Sequence, residues 1–189
     1  MGAAYDLEPA FADVLPLLSS GLRDDDPLFS PLRRVVDSAR RLAAAEDVRA
    51  RLTTAALFRS VNPEITGTHE GVSKGRALVG DALFGAGFAA PLCERRGATE
   101  YDDPAAWRLR SDLFHAIAVA EPARVGDLVV LGSAPGHIEM ITRSSPVTTL
   151  GVRWGRIVED AEYVERCVRN SVQTDGNFAV VRLRAKLRL

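Results

Sequence analysis

The spacing of apolar residues changes character along the chain. Up to about residue 90 it is helical, and from Gly126 onward it alternates in short β-branched runs. Residues 5–20 place Leu7, Phe11, Val14, Leu15 and Leu18 on one face and stop at Ser20-Gly21, which predicts a first helix. RDDDPLFSP is a polar, proline-marked linker. A long helix follows from about Leu32 to Phe58, with Val35, Val36, Ala39, Leu42, Val48 and Leu52 on its apolar face, and Asn62-Pro63 ends it. SVNPEITGTHEG reads as a loop. SKGRALVGDALFGA, Ser73 to Ala86, predicts another helix, with Gly87 as its C-terminal stop and small residues suited to close packing on a sheet. Residues 94–112 are polar, contain Pro104 and Trp107, and read as a structured loop or short helix.

The later runs LVVL, HIEMIT, VTTLGV, GRIVED and NFAVVRLRAKL, separated by turn residues, predict strands of an antiparallel sheet. Helices first and strands afterwards give an α+β class. The division expected is a helical N-terminal extension over 1–62 and a main domain over 63–189. No internal repeat or low-complexity tract interrupts it.

Composition narrows the function. With 189 residues, 47% hydrophobic and 26% charged, the chain is long enough for one domain with a proper core. A formal net charge of −1 gives no electrostatic case for nucleic acid or an anionic membrane as partner. No apolar run is long enough to cross a bilayer. The first residues carry Asp6, Glu8 and Asp13 and no basic region, so the expectation is synthesis in the cytoplasm without a cleavable signal peptide, with any export left to a dedicated secretion system. Cys93 and Cys167 make no disulfide framework and no CxxC spacing, and read as buried or idle thiols. No His/Cys/Asp/Glu spacing suggests zinc and no GxxxxGK[ST] loop is present, so no metal or cofactor is expected.

Candidate chemistry centres on GDLVVLGSAPGHIEMIT, residues 126–142, where a turn delivers His137 to the start of a strand. There the backbone is fixed and the ring still reaches solvent, as a general base requires. This stretch resembles the His-bearing hairpin of the NlpC-type and CHAP-type cell-wall hydrolases, over roughly residues 65–155. The resemblance implies a papain-like α+β fold, with an antiparallel sheet packed against a nucleophile-bearing helix. It also implies a Cys at that helix's N-terminus, the hairpin His as base, and a polar residue on the next strand that orients the His.

Laid on Gly71-Val72-Ser73-Lys74-Gly75, the nucleophile position falls on Ser73. A helix start suits a nucleophile because its amides stabilise a thiolate and an oxyanion, although a serine gains little of the first effect. Ser73 is read as a Cys-to-Ser change that silences the enzyme, with a natural serine variant and a non-catalytic relative as alternatives, and a plain N-cap as its structural role. Cys93, flanked by Arg95 and Arg96, is the rival thiol, its basic neighbours suited to lowering its pKa. Cys167 follows the His, the wrong order for this superfamily.

For the third member the next strand offers Thr148 and Thr149, of which Thr149 is a weak acceptor for the imidazole; relatives often carry Asn, His, Asp or Glu at or just beyond this place, where this chain continues Gly151-Val152-Arg153-Trp154. Glu139 shares a strand face with His137 and is a candidate substrate contact or a solvated residue. His69 and Trp154 are candidates for lining the cleft, and His115 reads as structural. The resemblance implies an amide-bond hydrolase acting on peptidoglycan or peptide substrates. An antibacterial effector of this kind would have an immunity protein as partner. The alternatives are a cell-wall or peptide binding module that has lost the nucleophile, and a papain-like enzyme acting on a protein or acyl substrate.

Overall fold

The computed structural model describes residues 30–44, 60–67, 74–118, 121–132, 136–153, 156–163 and 178–184. Within them the fold is α+β. Helix α1 spans Ser30–Ala44 and α2 spans Gly75–Gly85. Strands β1 (Leu92–Arg95) and β2 (Ala98–Tyr101) form a hairpin, followed by the short helix α3 (Pro104–Trp107). Then come β3 (Phe114–Ala116), β4 (Leu128–Leu131), β5 (His137–Ser144), β6 (Val147–Arg153), β7 (Arg156–Asp160) and β8 (Phe178–Leu183). These six strands make one antiparallel sheet in the order β3-β8-β4-β5-β6-β7. The five predicted strands all form. The predicted helix over 5–20 and the second half of the long helix lie outside the described residues.

Register divides the sheet into two unlike faces. Leu128 stands opposite Met140, Val130 opposite Ile138, Met140 opposite Leu150 and Leu128 opposite Val181, so these apolar side chains share a face. They join α2's Ala77, Leu78, Val79, Ala82 and Leu83 in a single core cluster. Trp107, fully buried, stacks on Phe114 in the same cluster at 5.9 Å between centroids. Helix α1, placed by the sequence in an N-terminal extension, contributes Val35, Val36 and Ala39 to this same core. The other face carries Asp127, Val129, His137, Glu139, Thr149, Gly151, Arg153 and Arg182. Apolar packing holds the first face, and buried ion pairs occupy the second.

Helix α2 is buried over Gly75–Leu83, on all sides, which explains a composition too apolar for a surface helix. Its glycines mark close approaches: a Cβ on Gly80 would meet the Tyr101 ring at 2.5 Å, and one on Gly85 would meet the Ser38 Oγ at 2.5 Å. The expected stop at Gly87 holds, with φ +86°.

The β1–β2 hairpin corrects the reading of 94–112 as loop or short helix, of which only the α3 turn is helical. Arg96 (φ 51°) and Gly97 (φ 75°) form its two-residue turn, and both left-handed conformations suit the twist of a hairpin. The run of charges Glu94-Arg95-Arg96 hid the alternation, and Gly97 was the available signal. The hairpin is tied to α2 by the Tyr101 hydroxyl, which donates to Asp81 Oδ1 at 2.8 Å, and by Arg76, which reaches Glu100 at 3.2 Å.

Candidate functional site

The site is built on the polar face at the start of β5. Asp103, at the N-cap of α3, accepts from the Ala105 amide at 2.9 Å and from the Gly136 amide at 3.1 Å. One carboxylate oxygen thereby pins the backbone immediately before His137. Gly136 fits because a Cβ there would lie 2.9 Å from the Ala105 nitrogen. His137 follows with its side chain 23% exposed, enough for a ligand to reach the ring.

Two residues on, by strand alternation, the Glu139 carboxylate lies 2.9 Å from His137 Nε2. Glu139 is completely buried. Its Oε1 also accepts from Arg153 Nε. Its Oε2 accepts from Arg153 NH2 at 2.5 Å and from the Thr149 hydroxyl at 2.6 Å. Burial pushes the Glu139 carboxyl upward, but the bonds from His137, Arg153 and Thr149 outweigh it and hold the group below the ordinary carboxylate range. An ionised carboxylate only accepts, so His137 Nε2 is the donor and carries the proton. Nδ1 is then the basic nitrogen of the neutral ring.

Gly151 makes this arrangement possible. A Cβ at 151 would lie 2.6 Å from both Cγ and Oε1 of Glu139, so the glutamate folds into the space a side chain on β6 would fill. The acid that backs the imidazole therefore comes from the histidine's own strand, across a glycine on the next.

Two readings made from the sequence are corrected here. Thr149 does not accept from the imidazole: its hydroxyl donates to Glu139, one step removed. Glu139 is neither solvated nor placed to touch a substrate, because four donors surround its two oxygens inside the sheet face. Ser73, His69 and Trp154 lie outside the described residues. The N-cap position of α2 is Lys74, without a side-chain capping bond.

Helix α2 packs on the apolar face of the sheet and His137 projects from the polar one. Cys93 is half-buried on β1, and burial, reinforced by Asp102, pushes its thiol up despite Arg95 and Arg76. That is the reverse of the lowering expected from its basic neighbours. His115, on β3, is partly buried, and burial together with the Arg182 charge pushes its imidazole down.

Sequence reasoning missed Arg153 and Asp103 altogether. Arg153 follows the GV dipeptide on a strand otherwise free of charge, a signal for a buried ion pair. Asp103 precedes Pro104, the signature of a helix start. Among the described residues no group of three or more His, Cys, Asp and Glu side chains could hold a metal ion. No helix of the described residues is long and apolar enough to cross a membrane. No protein-family model, no curated protein and no solved structure matches the chain.

Proposed function

We propose that the chain is an amide-bond hydrolase whose general base is His137, oriented by Glu139. The observation that carries this reading is the Nε2–Glu139 contact of 2.9 Å on a ring that remains 23% exposed, which leaves Nδ1 to take a proton. The papain-like fold, a nucleophile at position 73 and a peptidoglycan or peptide substrate come from the resemblance of the 126–142 hairpin and the 71–87 segment. In this scheme the group at position 73 attacks the amide carbonyl carbon and its proton passes to His137 Nδ1. The imidazolium returns that proton to the leaving amine. A water, deprotonated by the same nitrogen, then releases the acyl group and restores the side chain at 73.

A glutamate behind the imidazole suits this cycle, because its negative charge stabilises the imidazolium formed on the way. With Ser73 in place turnover is weak or absent, and Ser73→Cys supplies the better nucleophile. The second reading is a peptide or cell-wall binding module, and the placement of α2 and His137 on opposite faces favours it. Peptidoglycan and a mixed peptide pool, incubated with the protein, Ser73→Cys and Ser73→Cys/His137→Ala and analysed by mass spectrometry, separate the two. Cleavage by Ser73→Cys alone supports the hydrolase and its product masses name the bond. Binding of fragments without cleavage by any form supports the module.

A further inference from the structure

Arg153 ends β6 with its side chain 5% exposed, and more of the molecule is spent on holding it than on holding His137. Its Nε and NH2 grip both oxygens of Glu139, NH2 also reaches the Thr149 hydroxyl at 3.2 Å, and NH1 binds Asp160 Oδ2 at 2.9 Å. The face of the guanidinium lies over the Tyr163 ring, with Cζ 3.4 Å from the centroid. The same ring stands edge-on to His137, 6.0 Å between centroids at 82°. Arginine, Glu139 and imidazole thus form one connected unit under Tyr163.

We infer that Arg153 is the positioning residue of this site: through Glu139 it fixes which nitrogen of His137 carries the proton and which is left to act as base. The inference rests on the reading of His137 as a base, but it makes a claim about the imidazole itself that needs no substrate. The physical argument is the fork. A planar guanidinium that binds both carboxylate oxygens leaves Glu139 one orientation, in which Oε1 faces His137 Nε2. It also supplies the positive charge without which a completely buried carboxyl would take up a proton and stop accepting from Nε2. The charged and titratable groups facing the pair among the described residues are Arg153 from β6, Asp160 at the end of β7 and Tyr163 beyond it. Of these, Arg153 binds both oxygens of Glu139.

The test is an imidazole nitrogen NMR titration of the full chain as wild type, Arg153→Lys and Arg153→Met, with circular dichroism to establish folding. Wild type shows the neutral ring with its proton on Nε2. In Arg153→Met the carboxylate loses its cation, so the His137–Glu139 pair takes up its proton at higher pH than in wild type. Arg153→Lys keeps the charge without the fork, folds under milder strain, and shows a smaller shift in the same direction with a mixture of the two neutral tautomers. A folded variant whose His137 titration and tautomer match wild type overturns the proposal and leaves Arg153 a purely structural ion pair. In the Ser73→Cys background the acidic limb of the pH–rate profile shifts with the resonances. A shift in the resonances without turnover in any form would retire the hydrolase and keep the positioning role.

Discussion

Among the described residues, the polar face of the sheet holds two buried arginine–carboxylate pairs, and they differ in one respect. On β8, Arg182 binds Asp127 through Nε and NH2, both at 2.8 Å, and its remaining donors go to Glu121 and the Pro122 carbonyl. Asp127 accepts in addition from the Arg124 amide at 2.7 Å. Every contact serves the joint between β4, β8 and the loop before β4. On β6, Arg153 makes the same two-pronged grip on Glu139, but there one carboxylate oxygen also meets a histidine that reaches solvent. The same grip holds a joint between strands in one place and backs a histidine that reaches solvent in the other. The lesson is that a buried ion pair does not by itself mark a site. What distinguishes the second is that its carboxylate itself also holds a partly exposed histidine.

The largest expected effect separates the two on stability. Arg182→Met strands a fully buried Asp127 and costs about 3–5 kcal/mol in urea denaturation, while the His137 resonances stay where they are. Gly151→Ala acts on the other pair: its methyl occupies the space of Glu139, costing about 1–3 kcal/mol and removing the Nε2 contact from the NMR spectrum.

The acid limb of stability sharpens the contrast further. Glu139 titrates below the ordinary carboxylate range in the folded chain, so its contribution is complete above that range and is lost as pH falls through the folded value. Glu139→Gln flattens that limb by up to about 1.4 kcal/mol per pH unit, the slope of one proton, in urea titrations repeated across acidic pH. The smallest expected change is in His137→Ala. It removes one bond from a carboxylate still held by Arg153 and Thr149, and lowers stability by about 1 kcal/mol or less in the same assay.

Much of the fold was legible because its signals are local. Alternation located all five later strands to within a few residues, and Gly87 ended α2 as its sequence suggested. The β1–β2 hairpin was hidden because its strands are short and charged, and β3 because three residues are too few to show a period. The site was legible in part. His137 at a strand start, and Glu139 on its face, follow from a two-residue period. Whether Glu139 points to water or into the sheet depends on what β6 offers across the register, and the glycine at 151 decides it. Arg153 comes from fourteen residues away in sequence, and no local pattern connects it to the histidine. The side of the sheet on which α2 packs was equally invisible, since a helix and a strand can each be read correctly without their relative placement.

That placement bears on the central claim, that His137 serves a nucleophile at position 73. Alkylation of Ser73→Cys by iodoacetamide, followed by peptide mass spectrometry at about pH 6 with Cys93 as internal reference, tests it without knowledge of the substrate. A neighbouring imidazolium stabilises a thiolate, so position 73 reacts at least about ten times faster in Ser73→Cys than in Ser73→Cys/His137→Ala. Equal rates in the two proteins would contradict the pairing and leave the His137–Glu139–Arg153 unit to a function other than activating residue 73.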